Sequence, residues 1–258
     1  MRSSLMKVAL IQSAPKLNRT NLVDVLALIE VNKEVADVVV FPELSLSGYT
    51  LQDKLFEDAW KVEELEGLAE ASQTCDIVIG AALWDNGYVF NSALYFSKGS
   101  LLHIHHKNHL PTYGMFEEGR YFSAGNVINS FQTPNGNAVM IICEDLWRAE
   151  SIAAIAASEA EIVYVLAASP ARNFGNKGLE IEAQWEALLK TTALLSHNYV
   201  IFVNRVGFED GLGFWGGSLV VSPVGMVEYK LPLFDDTTIV VEINSNLQKV
   251  GRYLAKNF

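Results

Sequence analysis

The sequence has few cysteines, an excess of acidic over basic residues, and no long apolar run. Its 258 residues include two cysteines, too few for a small scaffold held together by several disulfides. The 19 basic residues are outnumbered by 30 acidic ones, for a net charge of −11, so the clustered positive charge that binds nucleic acid is missing. The longest apolar runs, such as 152–157 and 162–168, fall far short of the roughly 18 residues that span a membrane. We therefore expect neither a nucleic acid nor a membrane as a partner.

The rest of the composition is typical of a folded globular chain. Half of the residues are hydrophobic and 10% are aromatic, and a chain of this length buries roughly 70 to 75% of the surface that its unfolded form exposes. The first segment has an apolar core only at 8–11, before Gln12, which favours a β-strand over a secretion signal. Nothing else points to an oxidising compartment, so we expect a cytoplasmic protein.

Apolar β-branched runs alternate with amphipathic stretches along the chain, a pattern typical of α/β domains. In the first half we predict strands at 7–13, 37–41, 76–83, 88–97 and 100–106, and helices at 21–33 and 56–74. In the second half we predict strands at 138–143, 161–166 and 199–204, helices at 149–158 and 179–196, and a meander of strands at 218–222, 226–230 and 237–242. No linker separates the halves, so we interpret residues 1–258 as one domain.

Three chemically capable side chains follow apolar strands: Glu43, Lys107 and Cys143. Loops at strand ends of α/β folds often carry functional groups. Glu43 is suited to be a general base, Lys107 to donate to an oxyanion, and Cys143 to be a nucleophile near helix N-terminal amides. The acids that follow Cys143 raise the pKa of its thiol, so it requires a base. Each residue also has a structural interpretation, as a solvated loop glutamate, an exposed strand-end lysine or a small buried hydrophobe.

Other kinds of site fit the sequence less well. The chain contains no HExxH spacing, and three of the four histidines near Lys107 lie on a strand whose alternate residues point in opposite directions, so we predict no metal site. These histidines are His103, His105, His106 and His109. The chain lacks G-x-S-x-G, and GLGFWGGS lacks the lysine and spacing of a phosphate-binding loop. We interpret Cys75, at a helix-to-strand junction, as structural.

Three segments together resemble the nitrilase, or carbon-nitrogen hydrolase, superfamily: FPELSLSGY around Glu43, HHKNHLP around Lys107 and ICEDLW around Cys143. Their order and spacing along the chain also fit. The resemblance implies an α/β fold of the four-layer αββα sandwich type. It also implies a Glu-Lys-Cys triad that cleaves non-peptide C–N bonds and requires neither a metal nor an organic cofactor.

Within that superfamily the chain is similar to the glutaminase domain of glutamine-dependent NAD synthetases. KNHLPTYGMFEEGRYF is similar to that branch's K-x-x-L-P-x-Y-x-x-F-x-E-x-R-Y-F, which implies that Tyr113 lines the substrate pocket and that Glu118 is a second, structural or catalytic, glutamate. ASPARNFGNK implies a substrate contact by Ser169, although ARNFG stands where a shorter Ser-Pro-Phe-type sequence is more usual. FVNRVGFEDGLGFWGGS implies that Asp210 or Glu209 helps to hold the substrate amine.

The reaction that the resemblance implies is ammonia release from a small carboxamide of the glutamine type. Glu43 takes the thiol proton of Cys143, which attacks the carboxamide, while Lys107 and the backbone N–H of Glu144 stabilise the oxyanion; water then hydrolyses the thioester. Alternatives are a nitrilase, an N-carbamoyl hydrolase or an ω-amidase acting on another small substrate. A second alternative is a non-catalytic regulatory subunit.

The expected partners are a small-molecule amide and further copies of the chain. The resemblance implies a homodimer, formed through helices, or a higher homo-oligomer, and the polar tail 244–258 is a candidate for contact with a neighbouring subunit. The ATP-dependent synthetase domain of that branch is not contained in these 258 residues. We therefore expect either that a separate polypeptide supplies it or that the protein is a free-standing amidase with the same pocket.

Overall fold

The computed structural model describes residues 5–175 and 178–244, so the tail predicted to contact a neighbouring subunit lies, from 245 onward, outside the described residues. The strands are β1 Leu5–Gln12, β2 Val38–Val40, β3 Asp76–Asp85, β4 Tyr88–Ser97, β5 Ser100–His106, β6 Phe131–Thr133, β7 Gly136–Ile142, β8 Ile162–Ala167, β9 Phe174–Gly175, β10 Gly178–Leu179, β11 Tyr199–Asn204, β12 Val206–Glu209, β13 Leu212–Trp215, β14 Leu219–Val221, β15 Val227–Lys230 and β16 Thr237–Asn244. The α-helices are α1 Asn21–Asn32, α2 Leu55–Asp58, α3 Glu66–Ala71, α4 Glu118–Tyr121, α5 Ala149–Ala157 and α6 Glu180–Ser196. Short 3₁₀ helices lie at Gln52–Lys54, Val62–Leu65 and Cys143–Trp147.

Two mixed six-stranded sheets lie at the centre of the described part of the chain. The first has the order β16-β1-β2-β3-β4-β5 and the second β15-β14-β11-β8-β7-β6. Each sheet contains three neighbouring parallel strands, β1-β2-β3 and β7-β8-β11, flanked by antiparallel ones. The strands β2 and β8 therefore occupy corresponding central positions. Their continuous apolar sequences are typical of strands that are covered on both faces.

Apolar cores between and outside the sheets define four layers. Between the sheets, Leu10 and Val40 of the first belong to one buried cluster with Met140 and Leu166 of the second. Residues of α1 and α3 cover the outer face of the first sheet, and residues of α5 and α6 cover that of the second. Helices on one face and a second sheet on the other bury both faces of each sheet. The predicted four-layer αββα sandwich is confirmed.

The predicted helix at 56–74 is not continuous. It is divided into α2, the 3₁₀ helix Val62–Leu65 and α3. After α2 the backbone of Ala59 becomes extended, and Trp60 forms a parallel bridge with Leu83 of β3. Tertiary pairing with the sheet thus overrides the helical pattern at this point.

The predicted meander is wrong in its last strand. The strand β16 leaves β15 and pairs antiparallel with β1, in the other sheet, along its full length. The sequence pattern also does not predict β6, β9, β10, β12 or β13. The other predicted strands and helices are present, and none of their ends shifts by more than two residues. No described helix has the length and apolar character that crossing a membrane requires.

Candidate active site

Four predicted site residues meet at one edge of the two sheets. Glu43, Lys107 and Cys143 follow β2, β5 and β7, and Glu118 is the first residue of α4. Because β5 is antiparallel to β4, which is antiparallel to β3, the strands β2, β3 and β5 run in the same direction and end at the same edge. Glu43 and Lys107 are each 1% exposed and Glu118 is 4% exposed, whereas Cys143 is half-buried. The interpretations of Glu43 as a solvated glutamate and of Lys107 as an exposed lysine are therefore wrong.

Two glycines allow the backbone to pack closely at this edge. A Cβ atom on Gly80 of β3 would lie 2.7 Å from the Cα of Glu43, and one on Gly125 would lie 2.3 Å from the carbonyl oxygen of His106. The N–H of Gly125 also donates to the carbonyl oxygen of Lys107 at 2.8 Å. A side chain at either glycine would push the adjoining segment away. Both glycines thus help to set the positions of Glu43 and Lys107.

Cys143 lies at the turn between β7 and the 3₁₀ helix Cys143–Trp147. The strand ends at Ile142, one residue earlier than predicted. Cys143 itself has a φ of +44°, a left-handed conformation that is uncommon for a residue with a side chain and that occurs preferentially at functional sites. The chain therefore changes direction at the thiol.

Lys107 bridges the two buried glutamates. Its Nζ donates to Oε1 of Glu43 and to Oε1 of Glu118, each at 2.7 Å. Burial acts to lower the pKa of Lys107, but the charges of Glu118 and Glu43 outweigh it and raise the pKa well above its usual value. The paired carboxylates therefore keep a fully buried ammonium group charged.

Glu43 is held through both of its oxygens. In addition to Lys107, the side-chain amide of Asn91 on β4 donates to Oε1 at 2.7 Å, and the backbone N–H of Ala168 donates to Oε2 at 2.7 Å. Ala168 directly follows β8, the counterpart of β2 in the second sheet. Glu43 thus connects the two sheets, and its carboxylate is fixed in one orientation.

Glu118 differs from Glu43 in having one free oxygen. The hydroxyl of Tyr49 donates to Oε1 of Glu118 at 2.5 Å, whereas Oε2 is buried without a hydrogen-bond partner among the described residues. Burial raises the pKa of Glu118 to about 7, although the charge of Lys107 opposes this rise. Glu118 therefore changes its charge near neutral pH.

The thiol of Cys143 is protonated in this environment. Burial and the charge of Glu43 raise its pKa well above the usual value, and the charge of Lys107 offsets only part of the rise. The main cause is thus burial, and not the acids that follow Cys143 in the sequence. A protonated thiol is a poor nucleophile, so a reaction at Cys143 needs a base.

A narrow cleft opens at Cys143, and Glu144, Ser169 and Glu118 line it. The hydroxyl of Ser169 accepts a hydrogen bond from Nε1 of Trp185 at 2.9 Å. Tyr113, at 49% exposure, is not among the lining residues. Its hydroxyl instead donates to Oε2 of Glu144 at 2.8 Å. The structure thus brings three of the four predicted substrate-binding residues to one side of the thiol.

The fourth, Asp210, is not among the residues that line this cleft. It lines a separate cavity of about 190 Å³, which shares Tyr49 and Glu118 with the cleft but not Cys143. Its neighbour Glu209 is buried and accepts from the backbone N–H groups of Tyr49 and Thr50, at 2.8 and 2.6 Å, and from Arg205 at 2.6 Å. Glu209 therefore anchors the segment that carries Tyr49.

The histidines and Cys75 are engaged in other contacts. His103 stacks on Phe131 with ring centroids 4.2 Å apart, and His106 pairs with Asp85 at 3.2 Å. Cys75 is 3% exposed and packs in the core beneath α1 and α3. Among residues 5–175 and 178–244, no group of three or more His, Cys, Asp or Glu side chains is arranged to hold a metal ion.

Sequence reasoning missed several residues around the site. Tyr49 and Asp145 stand inside the quoted motifs, and Arg172, which lines the cleft, stands inside the segment that departs from the usual sequence. Asn91 lies outside the quoted motifs, and its only signal in the sequence is that it is an amide within the apolar strand β4. A polar residue in such a strand must find a partner when it is buried.

Known proteins of similar sequence were found by comparison. The family model for carbon-nitrogen hydrolases matches residues 7–252. A curated glutamine-dependent NAD(+) synthetase from Xylella fastidiosa is 33% identical over 233 residues, which cover 84% of this chain and 40% of the relative. One from Synechocystis is 30% identical over 254 residues, covering 90% of this chain and 44% of the relative. The chain thus spans less than half the length of these curated relatives.

Solved structures share the fold. A glutamine-dependent NAD+ synthetase from Acinetobacter baumannii superposes with a TM-score of 0.85 at 27% identity, covering 95% of this chain and 46% of that chain. A CN-hydrolase superfamily protein from Xanthomonas campestris gives a TM-score of 0.84 at 19% identity, covering 97% and 94% of the two chains. With the family match extending over residues 7–252, these comparisons show that the chain belongs to the carbon-nitrogen hydrolase family.

Proposed function

We propose that this protein hydrolyses the C–N bond of a small carboxamide of the glutamine type and releases ammonia through a thioester on Cys143. The observation that carries the proposal is the buried ammonium of Lys107, held at 2.7 Å by both Glu43 and Glu118, next to a thiol whose pKa their charges alter. A base, a cationic donor and a nucleophile in one largely buried site suit acyl transfer. The family match supports C–N hydrolysis as the reaction class.

In the first step Glu43 takes the proton of the Cys143 thiol as the sulfur attacks the carboxamide carbon. The fixed orientation of Glu43, held by Asn91 and by the N–H of Ala168, keeps its carboxylate ready for this transfer. The C–N bond then breaks, and protonated Glu43 gives its proton to the departing ammonia. In the second step Glu43 activates a water that hydrolyses the thioester, which restores the thiol.

The oxyanion of the tetrahedral intermediate is stabilised by Lys107 and by the backbone N–H of Glu144. Two hydrogens of the Lys107 ammonium point to carboxylates, which leaves the third for the oxyanion. Glu118 holds Lys107 in place and adjusts the local charge. We therefore place Glu118 with the catalytic group.

The cleft suits a substrate that carries both charges of an amino acid. Arg172 and Glu144 line it together with Cys143. A guanidinium binds a carboxylate well, and each oxygen of Glu144 has a second lone pair for an ammonium group. Ser169 also lines this cleft, and Tyr113 supports it from outside by donating to Glu144. The relatives are named glutamine-dependent synthetases, and we propose that a synthetase uses the ammonia released here.

The test is ammonia release from glutamine, short aliphatic amides, nitriles and N-carbamoyl amino acids, with Cys143→Ala as the inactive variant. The matched control is Cys75→Ala, because Cys75 is the other cysteine and lies in a core. We expect glutamine to be turned over by the wild type and by Cys75→Ala, and Cys143→Ala to lose all but a trace of activity.

Retention of activity by a folded Cys143→Ala variant would overturn the proposal. Preference for a nitrile or an N-carbamoyl amino acid would reassign the substrate class. Absence of turnover, together with alkylation of Cys143 no faster than that of Cys75, would favour a non-catalytic regulatory subunit. Glutamine turnover with and without a candidate synthetase tests the partner, and sedimentation tests the homodimer or higher homo-oligomer that the resemblance implies.

A further inference from the structure

We propose that Asp145 is a positioning residue that keeps Lys107 in a fixed position relative to Cys143 during the reaction. The inference rests on the proposed function, because it concerns the same thiol and lysine. Asp145 has no exposed surface and does not line the cleft. Its effect on the reaction must therefore pass through other residues.

The carboxylate of Asp145 gathers contacts from two separate segments. Its Oδ1 accepts from the backbone N–H groups of Asn108 and His109, at 3.0 and 2.8 Å, and lies 3.1 Å from Nδ1 of His109. Its Oδ2 lies 3.0 Å from Nε2 of His105 and accepts from the backbone N–H of Ile142 at 3.4 Å. Both oxygens are thus fully used.

These contacts surround the two reacting residues. His105 and Asn108 stand on either side of Lys107 in the sequence, and Ile142 directly precedes Cys143. The carboxylate therefore links the segment that carries the lysine to the turn that carries the thiol. From the other side, the backbone of Lys107 is held by the carbonyl of Asn91. Asp145 is therefore a second connection between Lys107 and the second sheet, in addition to the one through Glu43 and Ala168.

The charge of Asp145 strengthens this connection. Burial acts to raise the pKa of Asp145, but hydrogen bonding and charge from His105, with the N–H of His109, outweigh it and lower the pKa. The group is therefore an ionised carboxylate, whose hydrogen bonds are shorter and stronger than those of a neutral acceptor.

Loss of Asp145 should act on the chemical step. A displacement of about 1 Å in a catalytic group can cost about 100-fold in rate, so we expect Asp145→Ala to lower kcat by roughly 10- to 100-fold. The KM should change by less than about threefold, because no atom of Asp145 lines the cleft. Alkylation of Cys143 by iodoacetamide forms no oxyanion, so its rate should also stay within about threefold of the wild type.

A second variant covers the case in which Asp145→Ala does not fold. Asp145→Asn keeps an oxygen for the N–H groups of Asn108 and His109, and its amide can donate to His105 in the other tautomer. It loses only the contact from the N–H of Ile142, which at 3.4 Å is the longest of the five. We expect Asp145→Asn to keep more than about a third of the wild-type kcat, measured per alkylated thiol. A loss of tenfold or more in Asp145→Asn would overturn the proposal.

The matched control is Asp76→Ala. Asp76 is also a buried aspartate and accepts from the hydroxyl of Tyr95 at 2.7 Å, but it begins β3, at the edge of the sheet opposite to the site. Its variant should lose stability and keep the wild-type kcat per alkylated thiol. The proposal is overturned if the kcat of Asp145→Ala equals that of the wild type, or if its kcat and its rate of Cys143 alkylation fall together. It is also overturned if Asp76→Ala loses as much kcat as Asp145→Ala does. Turnover by the wild type, and its loss in Cys143→Ala, test the proposed function separately.

Discussion

The buried charges at the site do not balance. Lys107 contributes one positive charge, and Glu43 and Glu118 contribute two negative ones when both are ionised, all three at 4% exposure or less. A net negative charge in such a site is costly, and it disfavours the thiolate of Cys143. Protonation of Glu118, whose pKa burial raises to about 7, removes this excess. Glu118 therefore makes the site sensitive to pH near neutrality.

Glu118→Gln should remove one pH dependence of stability. The folded-state pKa of about 7 lies above the ordinary value of 4.5, so the proton binds more tightly to the folded protein. The stability that this proton confers is present below about pH 4.5 and is lost as the pH rises through about 7. Between about pH 4.5 and 7, the free energy of unfolding of the wild type should fall by up to about 3 kcal/mol more than that of Glu118→Gln. Urea unfolding at several pH values measures the difference.

The adjacent Glu117 supplies the matched control, because it is exposed. The stability difference between Glu117→Gln and the wild type should not change by more than about 0.5 kcal/mol across the same pH range. A parallel pH dependence in wild type and Glu118→Gln would contradict the assignment of this titration to Glu118.

Among the elements, β16 has the most consequential position. It follows the last strands of the second sheet in sequence but pairs with β1 at the edge of the first. Buried and exposed side chains alternate only near the end of this strand, where Val241 and Ile243 face the core between the sheets. The strand therefore ties the end of the described chain to its beginning.

Two neighbouring valines on β16 test this packing. Val241 is 2% exposed and Val240 is 37% exposed. Val241→Ala removes buried methyl groups and should lower the free energy of unfolding by about 2 kcal/mol. Val240→Ala, on the opposite face, should cost less than about 0.5 kcal/mol. Equal costs for the two variants would show that β16 does not pack against the core in solution.

At the scale of the whole molecule, the core between the sheets draws side chains from both halves of the chain. Neither sheet can keep that face buried without the other. We propose on this ground that the chain is a single domain, as its sequence predicts.

A single domain should lose both sheets together. In hydrogen exchange measured by mass spectrometry at increasing urea, peptides from β3 and from β8, one in each sheet, should lose protection at the same urea concentration. Because β3 and β8 lie in the same core cluster, unfolding of one exposes the other. Loss of protection in one sheet at a clearly lower concentration would instead indicate two domains.

The sequence predicts the parts of the fold that have a local cause. Strands of β-branched residues such as β2 and β8, and the helical spacing of α6, follow from periodicity. The break at Trp60 and the partner of β16 do not, because a strand pattern specifies which face is buried and not which edge it joins. The chemical type of the residues at strand ends likewise points to Glu43, Lys107 and Cys143. It does not give the distances between them.

The sequence by itself determined the alternation of strands and helices, through its periodicities, and pointed to Glu43, Lys107 and Cys143 as candidate site residues, through their motifs at strand ends; the four layers it implied only through the family resemblance. Only the tertiary structure decided which groups surround these residues. It placed Asp210 in a cavity that adjoins the cleft at Cys143, gave Glu209 contacts with the backbone of Tyr49, and linked the segments that carry Lys107 and Cys143 through Asp145. Burial and contacts between residues distant in the chain control protonation and position, and neither is encoded in any short segment.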